Sequence, residues 1–226
     1  MTKKLKIILI ITTAAAVVFA AILGISALIF ECRISSPSGE TAKLSEWNLI
    51  LVNNDYHIPS GYDVKLLELS NGQKVDERIY PDLQAMFDDM RSEGVYPFVR
   101  EGFRTSEQQK NIIREFINEK LSEGFSLEEA YKLTRKTAAA VGNSEHQLGI
   151  AVDINADLDK SSALDVFGWL DKNAWKYGFI LRYPPDKTEI TGFSYEPWHY
   201  RYVGKTAAAE IYSRGICLEE YISQNS

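Results

Sequence analysis

Cysteine and histidine are scarce in this sequence, and a basic tract is missing altogether. The two cysteines, Cys32 and Cys217, stand far apart with no neighbouring cysteine at metal-site spacing, so no disulfide framework can be argued from them. No run of Lys and Arg is present to track a phosphate backbone, and 31 acidic residues outnumber 25 basic ones, which excludes nucleic acid as an expected partner. Internal repeats and low-complexity segments are absent too. What is there is ordinary for a folded protein: 45% hydrophobic and 25% charged residues, in a chain of 226. That suits one domain plus an anchor and leaves no room for two large domains.

The first thirty residues differ from the rest. Lys3, Lys4 and Lys6 precede an uncharged stretch from Ile7 to Phe30, closed by Glu31, Cys32 and Arg33. At about 1.5 Å per residue the stretch spans roughly 36 Å, more than a hydrocarbon core of about 30 Å requires. A cleaved signal peptide has a shorter apolar region and a small-residue cleavage site, which Ala14 to Ala16 and Ala20-Ala21 imitate. Cys32 suggests lipid attachment, but Phe30 and Glu31 before it are not the small residues such processing prefers. The reading adopted is an uncleaved transmembrane helix within residues 1–33, with the lysines cytoplasmic and the remainder outside. With those lysines set aside, the remainder is more acidic than the net −6 of the whole chain.

Residues 34–45, rich in Ser, Pro and Gly, are expected to form a stalk, and residues 46–226 a single domain. Asn48 to Val52 reads as a first strand. Tyr62 to Leu69 and Lys74 to Ile79 flank Asn71-Gly72, a strong hairpin signal. Four helices follow. One opens at Pro81, one runs from about Ser106 to Ser122, one from Ser126 to about Val141, and one from about Ala163 to Tyr177 with Gly178 as its cap. Strand patterns at Tyr96–Arg100, Gly149–Asn155, Phe179–Tyr183, Ile190–Tyr195 and Trp198–Val203 interleave with them, before a last helix from about Thr206 to Ser213. The mixture predicts an α+β domain around a mainly antiparallel sheet.

Of the three histidines, His57 lies in a loop-like sequence and is assigned no role. The other two have acids nearby: His146 precedes Asp153 in a His-x6-Asp arrangement, and Glu196 precedes His199 as Glu-x2-His. Two imidazoles and one carboxylate are a suitable ligand set for a catalytic Zn²⁺ with one position left open. Such a hydrolase also needs a separate carboxylate to carry a proton from water to the leaving amine, and Glu196 is the candidate. Taken singly, each motif has an ordinary alternative: a satisfied histidine, a strand-end Asp bound to a turn, a solvated Glu.

Together, the motifs resemble a family. Ser144 to Asp153 matches the Ser-x-His, Gly-x-Ala-x-Asp pattern of zinc D-Ala-D-Ala carboxypeptidases, and Glu196 to His199 their Glu-x-Trp-His pattern. The segment from Glu196 to Gly204 is most similar to the VanY type and to related L,D-carboxypeptidases, as is Gly102-Phe103-Arg104-Thr105, although Phe103 stands where the family often has Tyr. The resemblance covers about residues 46–222. It implies the fold shared by hedgehog, lysostaphin-type and D-Ala-D-Ala peptidases. It also implies one zinc held by His146, Asp153 and His199, with Glu196 as general base and acid. Arg104 would recognise a substrate carbonyl or carboxylate, with Gln109 and Ser144 as hydrogen-bonding positions. Ser106 to Gln109 also has capping-box spacing, so Gln109 has a structural alternative. The implied reaction is removal of D-alanine from peptidoglycan stem peptides outside a bacterial cytoplasmic membrane. A wall-binding or sensor module with structural zinc, and an endopeptidase, are the alternatives. The resemblance embraces both D,D- and L,D-specific carboxypeptidases.

Overall fold

The computed structural model describes residues 24–42 and 46–225. The chain divides into two compact units, Met1–Ser36 and Pro37–Ser226. In the first, residues 24–35 are helical. Most of the expected membrane-crossing stretch, residues 7–23, lies outside the described residues; among those described, no helix is long and apolar enough to cross a membrane.

The second unit starts with chain bound tightly to its own surface. Strand β1 (Glu40–Thr41) pairs in parallel with β2 (Tyr56–His57). Asn143 brackets Ser38, accepting from its backbone N–H at 2.8 Å and donating to its carbonyl at 2.8 Å. Thus residues 38–42, expected in a stalk, are bonded to the domain along their length.

The hairpin falls at Asn71-Gly72 as its sequence predicts, though its strands β3 (Leu66–Glu68) and β4 (Lys74–Asp76) are shorter than the apolar pattern suggested. Gly72 sits at φ 83°, the left-handed conformation such a turn demands. Four further strands form the sheet that carries the site: β5 (Pro97–Glu101), β6 (Ala151–Ala156), β7 (Phe179–Leu181) and β8 (His199–Tyr202). They lie in the order β5-β6-β8-β7, every neighbour antiparallel.

Period-two alternation assigns the faces. Val152, Ile154 and Ala156 of β6 and Tyr200 and Tyr202 of β8 turn into the main core. There they meet α1 (Tyr80–Ser92) through Leu83, Met86, Phe87 and Met90, and α4 (Ala163–Asn173) through Val166, Trp169 and Leu170. Asp153 and His199 therefore face the other way, and the β6–β8 register sets them directly opposite each other. A register irregularity between Val99 and Glu101 brings Glu101 opposite Asp153 from the other side.

On that second face lie α2 (Ser106–Ser122) and α3 (Leu127–Thr134), each opened by a capping box. The box of α2 is Thr105 with Gln108, one residue earlier than the Ser106–Gln109 spacing suggested, which frees Gln109 to point inward. Helix α3 ends at Thr134; Ala138 to Val141, apolar enough to extend it in sequence, are buried in the turn leading to the site loop.

Two expected strands are absent. Asn48 to Val52 joins no sheet, because the carbonyls of Asn48 and Ile50 accept from the buried Arg201 guanidinium at 3.1 and 2.9 Å instead. The Ile190–Tyr195 pattern is replaced by the short α5 (Thr188–Thr191), which Gly192 stops at φ 76°. After α6 (Lys205–Arg214), a final helix α7 (Leu218–Gln224) had no expectation in the sequence.

Candidate metal centre

Local structure delivers each ligand. His146 lies in a 3-10 turn, Glu145–Leu148, ended by Gly149 at φ 74°. A β-carbon on Gly149 would stand 3.1 Å from Val64 and 3.3 Å from the Asp76 amide, so only glycine fits both the angle and the space. The His146 ring donates from Nδ1 to the Gly102 carbonyl at 2.7 Å, and its own carbonyl accepts from the Arg104 amide at 3.1 Å. This leaves Nε2 free to face the site. Gly102 is pressed against β4: an added β-carbon would lie 2.2 Å from the Lys74 carbonyl oxygen.

Asp153 and His199 come from adjacent strands. Asp153 Oδ1 lies 3.0 Å from His199 Nδ1 and 3.4 Å from His146 Nε2. The three residues offer ligand atoms that all fall within 4.8 Å of one another. The two imidazoles meet edge to face, with centroids 4.8 Å apart. Tyr183 lies 4.9 Å from the His199 ring and stacks on Phe193 at 4.6 Å, which fixes the imidazole from the side.

Electrostatics distinguishes the two rings. Burial, helped by the positive charge of Arg104, lowers the His146 pKa to about 4, so its ring is neutral near pH 7. Burial also opposes charge on His199, but its hydrogen bond to Asp153 and the nearby Glu145 carboxylate overcome it and raise that pKa to about 9. Asp153 stays well below the ordinary carboxylate range; burial opposes this, and both imidazoles outweigh it. A cluster that keeps a proton on a buried histidine among three carboxylates is one that calls for positive charge. Two ring nitrogens and a carboxylate oxygen are also donors that zinc accepts. The residues therefore fit such an ion.

Glu196 stands beside the cluster, its Oε2 3.9 Å from His199 Nδ1. Burial pushes its pKa up to about 7, partly offset by His199. Arg104 reaches in from the start of α2. Its Nη2 lies 3.3 Å from Asp153 Oδ2, Nη1 3.4 Å from Gln109 Oε1, and Nε has no hydrogen-bond partner although buried. Gln109 does not line the cleft; fully buried, it donates to the Ala139 carbonyl at 2.8 Å and supports Arg104 from behind. Ser144 does line it, together with Glu101, Arg104, Trp198 and Glu196, in a cavity of about 520 Å³. His57 is elsewhere, with Nε2 2.9 Å from Thr41 Oγ1.

Behind the cluster lie three residues the sequence analysis did not select. Glu145, Arg182 and Arg201 have fully buried side chains. Arg201 had one legible signal, since it sits two residues after His199 and so shares its strand face. Glu145, inside the quoted motif, gave none, because burial of a charge is decided by elements distant in sequence.

Comparison with known proteins agrees with this geometry. The model of the VanY family, D-alanyl-D-alanine carboxypeptidase, matches residues 72–205. A D-alanyl-D-alanine carboxypeptidase of Enterococcus faecalis (strain ATCC 700802 / V583) is 54% identical over 178 residues, covering 79% of this chain and 66% of that relative. Among solved structures, the vancomycin resistance D,D-pentapeptidase VanY of the VanB-type cassette, in complex with Zn(II), is 54% identical with a TM-score of 0.77; the match covers 78% of this chain and 99% of that one. VanYB in complex with D-alanine-D-alanine is 53% identical with a TM-score of 0.79, over 80% of this chain and 100% of that one. A family match across more than half of the sequence, together with a relative at this level of identity, means that the chain belongs to the VanY family of D-alanyl-D-alanine carboxypeptidases.

Proposed function

We propose that the chain is a zinc carboxypeptidase that removes the terminal D-alanine from peptidoglycan stem peptides, D,D-linked termini first. The observation that carries the reading is the His146, Asp153, His199 donor set with a buried carboxylate, Glu196, beside it, 3.9 Å from His199 Nδ1. The family's structures with Zn(II) and with D-alanine-D-alanine support the ion and the substrate.

His146 through Nε2, Asp153 through a carboxylate oxygen and His199 through Nδ1 would hold the zinc. Bound there, it supplies Lewis-acid polarisation of a carbonyl and lowers the pKa of water. The remaining work falls to the protein. Glu196 takes the proton from the attacking water at a carboxylate oxygen and passes it to the departing amine nitrogen. Its pKa near neutrality suits both halves of that transfer. Arg104 presents guanidinium N–H groups to the substrate's carboxylate or carbonyl, and Gln109 holds that guanidinium in place. Tyr183, Phe193 and Trp198 keep water away from the reacting bond, and Ser144 lies where its hydroxyl can bind the peptide backbone.

Lys3, Lys4 and Lys6 ahead of the uncharged stretch from Ile7 to Phe30 support a single membrane span with the domain outside a bacterial cytoplasmic membrane. Protease accessibility on intact cells tests that placement.

The activity is tested by incubating the domain with zinc and synthetic stem peptides ending in D-Ala-D-Ala or L-Lys-D-Ala, and reading alanine release by mass spectrometry. Release that requires zinc and disappears in Glu196→Gln is the expected result, and the preferred peptide fixes the bond specificity. Stoichiometric zinc without cleavage of either peptide would replace this reading with an endopeptidase or a wall-binding module.

A further inference from the structure

The carboxylate behind His199 is arranged for a purpose beyond packing. Glu145 Oε1 accepts from Arg182 Nε at 2.7 Å and from Arg201 Nη1 at 2.8 Å. Its Oε2 accepts from nothing, and it lies 3.5 Å from His199 Nε2, which is also buried without a hydrogen-bond partner. Two buried orphans that face each other are rare in folded proteins, because each one unmade costs free energy. A ring tilt of a few tenths of an ångström brings this pair to an ordinary N–H···O distance.

The carboxylate cannot turn away from the ring. Arg201 spends its other donors on the carbonyls of Tyr202, Asn48 and Ile50. Arg182 spends its own on Glu219 of α7, at 2.7 and 2.9 Å. Both guanidinium groups are thereby fixed, and they pin Oε1 so that Oε2 points at His199. The other histidine is backed differently. The Gly102 carbonyl accepts from His146 Nδ1, committing Nε2 to the ion; behind His199 the acceptor faces Nε2, which commits Nδ1.

We propose that Glu145 is a positioning residue for the metal centre: by accepting from His199 Nε2–H it fixes the ring in the tautomer and orientation that present Nδ1 to zinc, while Arg182 and Arg201 aim the carboxylate. The proposal rests on the zinc reading above. Backing groups of this kind typically alter metal affinity by about 10- to 100-fold.

The test uses the zinc-loaded chain with ¹⁵N-labelled histidine, whose three imidazoles are readily distinguished. In the wild type, His199 should carry zinc on Nδ1 and a slowly exchanging proton on Nε2; a His199 with no proton on Nε2 overturns the proposal without any variant. Glu145→Asp keeps the charge between the guanidinium groups but withdraws it from the ring by one methylene. Chelator competition should then give zinc affinity about 10- to 100-fold weaker, with fast exchange at His199 Nε2 and His146 signals unchanged. Affinity within about twofold of wild type, with the same protected proton, overturns it. Glu219→Gln loosens the same network at its far end and is expected to lower the melting temperature while leaving zinc affinity within about threefold. An equal loss of affinity in that variant would mean general loosening and no positioning role. Wild-type protein that binds no zinc through His146 and His199 would defeat the metal reading itself, a result separate from all of these.

Discussion

The metal cluster has two walls built on opposite principles. The rear wall, Glu145, Arg182, Arg201 and Glu219, is dry and electrically balanced, two acids against two bases, with almost every polar atom bound. The front wall, Arg104, Glu196 and Ser144 around the cleft, has capacity to spare: a guanidinium nitrogen that makes no hydrogen bond and a carboxyl held partly protonated by burial. The rear spends its hydrogen-bonding on the protein; the front keeps some for a ligand. Substitutions at the rear should therefore cost stability, and those at the front should cost activity.

The largest effect is expected at Arg201. Arg201→Met strips a fully buried guanidinium from Glu145 and from three backbone carbonyls, and loss of one partner of a buried pair typically costs about 3–5 kcal/mol. Denaturant unfolding measures it. A loss below about 1 kcal/mol would show that the rear wall is no tighter than the front.

At the front, Glu196→Gln should lower kcat by about 10²- to 10⁴-fold with zinc retained, read by alanine release and metal analysis. The same variant sharpens the contrast through pH. A carboxyl whose folded pKa is raised to about 7 adds stability when protonated, below its ordinary value of 4.5, and loses that contribution as pH rises through 7. Metal-free Glu196→Gln lacks this loss, so at pH 8 it should exceed the wild type by on the order of 1–3 kcal/mol, the gain vanishing near pH 4. Destabilisation at pH 8 would place Glu196 with the rear wall.

Gly102→Ala tests the seam between the walls. Its new methyl collides with the Lys74 carbonyl and displaces the acceptor for His146, so a stability loss of about 1–3 kcal/mol should come with weaker zinc binding. The smallest effect belongs to Gln109→Ala. It leaves Arg104 in place but unsupported, and steady-state kinetics should give a rise in KM of about tenfold or less with unfolding midpoints slightly lowered.

How much of this was legible in the sequence follows the same division. His146, Asp153, His199 and Glu196 are close in sequence within two short segments, and a two-residue strand period turns spacing directly into proximity. The hairpin at Asn71-Gly72 and the capping box at Ser126 are local for the same reason. The rear wall was hidden because Glu145, Arg182, Arg201 and Glu219 come from four separate stretches of chain, and a buried charge has the same letter as a solvated one. Asn48 to Val52 misled for a related cause: its apolar pattern is that of a strand, but its backbone acceptors are taken by a side chain from β8. Gln109 was named for its chemistry, yet it faces Arg104 and the Ala139 carbonyl because the cap of α2 begins one residue earlier than its spacing suggested.

The place of Glu219 in α7 has a consequence for the order in which the protein is made. A ribosome delivers His146, Asp153 and His199 before it delivers the last helix. Until α7 docks, Arg182 lacks the counter-charge that lets it stay in the interior, and the carboxylate behind His199 is held by Arg201 alone. The ligands exist early, but the chamber that presents them is finished only when α7 docks. Secure capture of the ion is therefore expected to be a late step of maturation, timed by completion of the domain.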